Sequence, residues 1–252
     1  KMAMEFAEPR HHGSVTESAF TLHRGDREIP GLLWRSAVER GPLVLIGHGG
    51  SASVTESYVV ALGRHLARDL GCHAVAIDGP VHGTRRGDRS QDSTLVLMDF
   101  MQAWSSDESM TDEMVADWRH VIDAVHDELG IAEEPIGYWG LSMGTILGLP
   151  LVAAEPRITA AVLGLCGTTG PTADRLAADA NAVACPTMYL MKWDDELFAR
   201  DTVLDLFSRL ASKDKTLVAT PGAHGAVWPE TFSQTAAFLA GRLVGTSSPE
   251  RA

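Results

Sequence analysis

The chain has 252 residues, of which 45 % are hydrophobic and 21 % are charged, and these proportions exclude an intrinsically disordered protein. Its formal net charge of −12 disfavours nucleic acid and anionic membranes as partners, because an acidic surface repels both. The three cysteines, Cys72, Cys166 and Cys185, are far apart and lack CxxC spacing, so we expect neither a structural zinc site nor a disulfide framework.

Short apolar runs alternate with helical patterns along most of the chain, which predicts βαβ units and a mostly parallel sheet. We therefore expect one α/β domain over residues 1–252, with residues 1–13 forming a flexible N-terminus. Those first residues are polar and show no apolar signal-peptide core, and no apolar run reaches the roughly 18 residues of a membrane span. A cytoplasmic protein with no membrane association is the expectation.

The first predicted element is an antiparallel hairpin, in which residues 19–23 and 29–34 flank a turn at residues 24–27. The continuous apolar run at 42–47 is typical of a strand buried on both faces, and it ends in His48-Gly49-Gly50. A helix over 57–70 and a second buried strand over 72–77 follow, and that strand ends in Asp78-Gly79-Pro80.

Residues 80–112 show the least regular pattern, and we expect them to form a small cover over the active site. The remaining elements alternate regularly. They are helices at 111–129, from 145 to about 154, at 172–182, 199–210 and 230–243, with strands at 135–139, 158–165, 186–191 and 215–219. Only about twenty residues separate the strands ending near 165 and starting near 186, which is enough for one helix and excludes a large lid there.

The pentapeptide around Ser142 matches the G-x-S-x-G pattern of a nucleophile placed on a sharp strand-to-helix turn. Such a turn strains the serine backbone and requires small neighbours, which Gly140 and Gly144 provide. A glycine-rich helix start with a capping serine would give the same letters. The apolar strand before the pentapeptide and the helical pattern after it favour the nucleophile, and we predict that Ser142 attacks the substrate.

A serine hydroxyl needs a general base, and the base needs an acid that orients it. Among the ten histidines, His224 follows the last predicted strand and is the expected base. Asp194 and Asp195 follow the strand at 186–191, and either carboxylate can serve as the acid. The chain order Ser, Asp, His is typical of the α/β-hydrolase fold.

An oxyanion formed at the serine needs about two backbone N–H donors. The residue after the nucleophile, Met143, is expected to supply one donor, and Gly50 in the glycine turn after residue 47 the other, with Ser51 as the next choice. A plain glycine turn with no such role is the alternative for that stretch.

These segments together resemble the α/β-hydrolases of the dienelactone-hydrolase and small-carboxylesterase type, over nearly the whole chain. The resemblance implies an eight-stranded sheet with helices on both faces and ester hydrolysis through an acyl-enzyme. It also favours Asp195 as the acid, since Asp195-Glu196-Leu197 is similar to the sequence that follows the equivalent strand in such enzymes. Dienelactone hydrolases proper use a cysteine nucleophile, and this chain has Ser142 instead.

The expected reaction needs no metal and no organic cofactor. The expected substrate is a small or medium carboxylic ester, with Trp104, Trp193 and Trp228 as candidate substrate-binding residues. Peptidase or thioesterase chemistry on the same fold is the alternative, and a non-catalytic binding module is a further one. The sequence leaves the oligomeric state open.

Overall fold

A computed structural model describes residues 4–244, and in this part of the chain ten strands form a single mixed sheet with seven α-helices around it. The sheet order is β1-β3-β4-β6-β5-β7-β8-β9-β10, with β2 paired to β3 outside this path. The pairs β6–β5, β5–β7, β7–β8, β8–β9 and β9–β10 are parallel. The predicted α/β class is therefore confirmed.

The elements have the following bounds. The strands are β1 (Glu5–Phe6), β2 (Arg10–His12), β3 (Val15–Arg24), β4 (Arg27–Arg35), β5 (Leu43–Gly47), β6 (His73–Ile77), β7 (Ile136–Gly140), β8 (Ile158–Gly164), β9 (Thr187–Lys192) and β10 (Lys215–Thr220). The helices are α1 (Ser57–Asp69), α2 (Ser93–Ser106), α3 (Met110–Leu129), α4 (Met143–Ala154), α5 (Ala173–Ala180), α6 (Arg200–Arg209) and α7 (Pro229–Leu243), with a 3₁₀ turn at Gly83–Arg85.

Three neighbouring strands in the middle of the sheet, β5, β6 and β7, are predominantly apolar. Every residue of β5, β6 and β7 is buried, as expected of parallel strands covered by helices on both faces. Apolar side chains from α1 and α7 fill the core on one face, and those from α3 to α6 fill it on the other. Two helix-covered faces hold the strand ends rigidly, which a precise site requires.

The N-terminal segment differs from the expectation that residues 1–13 are flexible. Strands β1 and β2 both pair antiparallel with β3, so residues 5–12 extend the sheet, while residues 1–3 lie outside the described part. These two strands raise the strand count from the expected eight to ten. They are two and three residues long and largely exposed, too short for an alternating apolar pattern to reveal them.

The segment at 80–112, expected to be irregular, contains helix α2. Its N-terminus is capped by Asp92, whose carboxylate accepts the backbone N–H groups of Thr94 and Leu95 at 3.0 Å each. Helix α2 buries Val96, Phe100 and Trp104 at helical spacing, but exposed apolar side chains fill much of its other face. That outward apolar face obscures the helical periodicity in the sequence.

Among residues 4–244, no helix combines the length and the apolar character needed to cross a membrane.

Candidate active site

Four polar segments meet at one edge of the sheet because they follow strands that end there. Strands β5 and β7 are paired through Gly47 and Gly140, and the turns after them hold Gly50 and Ser142. Strands β9 and β10 lie two and three places further along the sheet and end before Asp195 and His224. The carboxyl ends of parallel strands are where ligand sites of open α/β sheets form, and this edge is the candidate active site.

Ser142 has a backbone conformation that few residues other than glycine adopt. Its φ of 58° and ψ of −119° lie outside the ordinary allowed regions, and such a backbone costs of the order of 1–3 kcal/mol. Surrounding hydrogen bonds hold it: the Ser142 N–H donates to Gly164 O at 2.9 Å, and its carbonyl accepts from Thr145 and Ile146. The turn from β7 into α4 thereby presents the serine hydroxyl at the sheet edge.

The small residues on either side of the turn are required by backbone contacts. A Cβ at Gly144 would lie 2.5 Å from the carbonyl oxygen of Gly47, and one at Gly140 would lie 2.7 Å from the carbonyl oxygen of Gly144. Both distances are shorter than van der Waals contact. The two glycines of the pentapeptide therefore allow strand β7, helix α4 and the end of β5 to approach closely enough for the turn to form.

Ser142, His224 and Asp195 form one chain of hydrogen bonds. The His224 Nε2 atom lies 2.9 Å from Ser142 Oγ, and the His224 Nδ1 atom lies 2.8 Å from Asp195 Oδ2. The Asp195 side chain is 2 % exposed and that of His224 is 13 % exposed, so water competes weakly with these bonds. The spacing is that of a nucleophile, a general base and an orienting acid.

The two neighbouring aspartates have different surroundings. The second oxygen of Asp195 accepts the N–H groups of Leu197 and Phe198, at 2.8 and 3.0 Å, which fixes the carboxylate toward the histidine. Asp194 is exposed, and within the described residues its carboxylate accepts one hydrogen bond, from the Gly222 N–H at 3.2 Å. The structure therefore places Asp195, and not Asp194, against His224.

Glu196 is a site residue that the sequence did not single out. Its carboxylate accepts the backbone N–H of His224 at 2.8 Å, and this hydrogen bond lowers the pKa of Glu196. The contact ties the loop after β9 to the loop after β10. In the sequence, Glu196 stands only as part of the Asp195-Glu196-Leu197 resemblance, which gives it no role of its own, so its contact with His224 could be found only from coordinates.

In the turns after β5 and β7, two backbone N–H groups make no hydrogen bond within residues 4–244. Met143 is the first residue of α4, where helical N–H groups have no partner within the helix. In the turn after β5, the N–H groups of Gly49, Ser51 and Ala52 are all engaged, by Tyr58 Oη, His82 Nε2 and Gly49 O. Within residues 4–244, the Gly50 N–H makes no hydrogen bond.

Helix α2 lies against the glycine turn. The Cδ1 atom of Leu97 is 3.3 Å from the position that a Cβ on Gly50 would take, so this side chain closes one side of the space above the turn. The helix is held in place by Arg86, which is ion-paired with Asp99 of α2 at 2.8 Å. Next to Leu97, the helix exposes Met98.

The three candidate tryptophans have different environments. Trp104 is buried, stacks on Phe100, and donates from Nε1 to Thr172 Oγ1 at 2.9 Å, so it anchors α2. Trp193 and Trp228 are 48 % and 50 % exposed, and they lie in the loops that carry Asp195 and His224. The Arg200 guanidinium lies over the Trp193 ring at 4.5 Å and the Lys192 ammonium over the Trp228 ring at 4.9 Å, so each exposed indole has one face occupied by a cation.

A strained serine between a strand and a helix, with aspartate and histidine following in chain order on a mostly parallel sheet, defines an α/β-hydrolase. The solved structures agree. The chain is 38 % identical to a cold-adapted esterase from an Arctic intertidal metagenomic library, solved as a PEG-bound complex, with 96 % of this chain and 100 % of that chain covered and a TM-score of 0.84. The chain therefore belongs to the α/β-hydrolases of the esterase and dienelactone-hydrolase type, a class of carboxylic ester hydrolases.

More distant structures share the fold alone. A dienelactone hydrolase from Anabaena variabilis is 18 % identical, with 92 % of this chain and 99 % of that chain covered and a TM-score of 0.65. An esterase from Pyrococcus furiosus is 14 % identical, with coverages of 91 % and 92 % and a TM-score of 0.68. No protein-family model matches the chain, and no curated protein matches it.

Proposed function

We propose that this chain is a serine esterase that hydrolyses small or medium carboxylic esters through an acyl-enzyme, with Ser142 as nucleophile, His224 as base and Asp195 as the acid. The observation that supports this proposal most strongly is the hydrogen-bond chain from Ser142 Oγ through both nitrogens of His224 to a buried carboxylate. A side-chain carboxylate with 2 % exposure has little reason to face an imidazole other than to orient it and stabilise its charge.

In the acylation step, His224 Nε2 takes the proton of the Ser142 hydroxyl as its oxygen attacks the ester carbonyl carbon. Asp195 accepts a hydrogen bond from the Nδ1–H group throughout, so the lone pair of Nε2 faces the serine. The negative charge of Asp195 stabilises the imidazolium that forms. The imidazolium then gives its proton to the leaving alkoxide, and the acyl group stays on Ser142. Water repeats the same steps in reverse and releases the acid.

The tetrahedral intermediate carries its negative charge on the former carbonyl oxygen. We assign the Met143 and Gly50 N–H groups as its two donors, since Met143 follows the serine, Gly50 lies in the turn after the neighbouring strand β5, and the fold engages neither N–H group. The start of α4 adds the favourable end of a helix dipole at the same point. Cys166, in contrast, is fully buried, and burial raises the pKa of its thiol to about 12, so it stays protonated and does not compete as nucleophile.

The surroundings of the serine favour an apolar acyl group of modest size. Leu97 limits the space above Gly50, while the half-exposed Trp193 and Trp228 lie in the loops that carry the acid and the base, each with a cationic side chain over one face of its ring. A single short helix, α5, connects β8 to β9, so this connection contributes no large lid over the substrate. We therefore assign a small or medium apolar acyl chain and an open site.

The proposal is tested by the hydrolysis of p-nitrophenyl acetate, butyrate and octanoate, comparing the wild type with Ser142→Ala. We expect turnover that the substitution abolishes, and a preference for the shorter chains. Ser212→Ala is a matched control, because that buried serine lies before β10 and its hydroxyl donates to Asp214 O, away from the proposed site. Equal ester turnover by wild type and Ser142→Ala would refute the assignment, and activity on thioesters or peptides alone would favour those alternatives.

A further inference from the structure

Two buried histidines connect the turn after β5 to the turn after β6, each accepting a hydrogen bond from the other's turn. His48, in the first turn, accepts the Gly79 N–H on Nε2 at 2.9 Å. His82, in the second, accepts the Ser51 N–H on Nε2 at 3.0 Å. The centroids of the two rings lie 5.2 Å apart, and both side chains are almost fully buried. The proposed mechanism uses neither ring as an acid or a base.

The contacts of these rings fix both peptide groups on either side of the Gly50 Cα atom. The carbonyl of the first group, Gly49 O, accepts from His48 Nδ1 at 2.8 Å. In a trans peptide the N–H points opposite to the carbonyl, so this bond sets the direction of the Gly50 N–H. The N–H of the second group, that of Ser51, is held by His82. Ser51 needs this support, because its φ of 59° lies in the left-handed region.

Both imidazoles must be neutral for this arrangement to exist. A backbone N–H can donate only to an unprotonated nitrogen, so Nε2 of each ring is the acceptor and Nδ1 carries the proton. The Nδ1 proton of His82 goes to Pro80 O at 2.7 Å. Burial lowers the pKa of both rings, that of His82 to about 4, which keeps the acceptors intact at neutral pH.

We infer that His48 and His82 form a reciprocal brace whose role is to aim the Gly50 N–H at the oxyanion, and that His82 is a positioning residue for catalysis. This inference rests on the proposed function, because it presupposes an oxyanion formed at Ser142. Its physical basis is that Gly50 has no side chain, so no side-chain packing fixes the direction of its N–H. The direction of its N–H is set by the groups that hold its two peptide planes.

The test compares three substitutions of His82. In His82→Gln, the side-chain oxygen can take the place of Nε2 and accept the Ser51 N–H. In His82→Asn the shorter amide can still donate to Pro80 O but cannot reach Ser51, and in His82→Leu both bonds are lost. His73→Leu is the matched control: His73 is equally buried and accepts the Ser36 N–H at 3.1 Å, but it lies at the opposite end of β6.

For p-nitrophenyl acetate we expect kcat to fall by about 10- to 100-fold in His82→Asn and His82→Leu, with KM changed by less than about twofold, since an oxyanion donor acts in the transition state. We expect His82→Gln to recover most of kcat. Affinity for a boronic acid, which forms a tetrahedral adduct on a serine, should fall in parallel with kcat. His73→Leu should lower the melting temperature and leave kcat unchanged.

The inference is overturned if His82→Asn keeps the wild-type kcat, if His82→Gln is no better than His82→Asn, or if His73→Leu lowers kcat equally. The Gln and Asn variants keep a polar side chain in place, so their comparison decides the question even where His82→Leu does not fold. Failure of the proposed function is a separate result, because it shows as wild-type turnover that does not depend on Ser142.

Discussion

Replacing Asp195 by asparagine tests the orientation of the base. Asparagine keeps an oxygen for the Leu197 and Phe198 N–H groups, so the loop is retained, but the negative charge beside His224 is lost. A carboxylate whose oxygen is 2.8 Å from Nδ1 places the two charges about 4 Å apart in the transition state, and at an effective dielectric constant of about 20 their attraction is worth about 4 kcal/mol. We expect kcat for p-nitrophenyl butyrate to fall by about 10³.

Asp194→Asn is the matched control for this prediction. The Asp194 carboxylate is exposed and accepts a hydrogen bond from the Gly222 N–H, not from His224, so we expect kcat within about twofold of the wild type. Steady-state kinetics of both variants, with melting temperatures to verify folding, are the assay. A large loss in Asp194→Asn with little loss in Asp195→Asn would refute the reasoning, and equal losses in both would show that the carboxylate does not act through His224.

Three further predictions concern residues in and near the turns of the site. Gly144→Ala places a Cβ 2.5 Å from Gly47 O and should destabilise the fold by about 2–3 kcal/mol, which lowers the melting temperature by about 5–10 °C. Gly241→Ala, on the open face of α7, is the control and should be neutral or stabilising. Leu97→Ala should raise the octanoate-to-acetate ratio of kcat/KM, because it enlarges the space above Gly50. Leu204→Ala, at an exposed position on α6, is the control and should leave this ratio unchanged. An unchanged ratio in Leu97→Ala would exclude Leu97 as a wall of the acyl site. The pKa of His82 is lowered to about 4 by burial and by the neighbouring His48 ring, so its contribution to the free energy of unfolding is complete above about pH 6.5 and should decrease by about 3 kcal/mol as the pH falls toward 4. Urea unfolding of wild type and His82→Gln at pH 7 and 4.5 measures this, and an identical pH dependence in both would contradict it.

The regular elements of this fold are predictable because their sequence patterns are dictated by burial. Strand β5 is an uninterrupted apolar run because both of its faces are covered, and α3 has a clear amphipathic period that ends at Gly130, whose φ of 67° favours glycine. The hairpin of β3 and β4 likewise follows from its turn, since the structure pairs Arg24 with Arg27 across two residues.

The elements that escaped prediction have patterns that burial does not dictate. Strands β1 and β2 attach to the sheet through backbone hydrogen bonds, with few buried side chains. Helix α2 has apolar residues on its exposed face as well as its buried one, such as Met98 opposite Phe100, so its period is blurred.

The site residues likewise divide into those that the sequence predicts and those that only the structure reveals. The positions of Ser142 and His224 follow from the glycine turn and from their places after strands, whereas the choice between Asp194 and Asp195 depends on which carboxylate the loop turns inward. The contacts of Glu196 with His224 and of His82 with Ser51 join residues 28 and 31 positions apart. Single-sequence patterns contain no record of such pairings, and only the folded loops reveal them.

The central claim is that Ser142 becomes covalently acylated, and active-site labelling tests it most directly. The wild type would be incubated with a fluorophosphonate, which phosphonylates activated serines, and the modified residue would be located by peptide mass spectrometry alongside the loss of p-nitrophenyl butyrate hydrolysis. The account predicts one label per chain, on Ser142, formed in proportion to lost activity and absent in His224→Ala. Labelling at another residue, or full esterase activity in a completely labelled Ser142 sample, would contradict it.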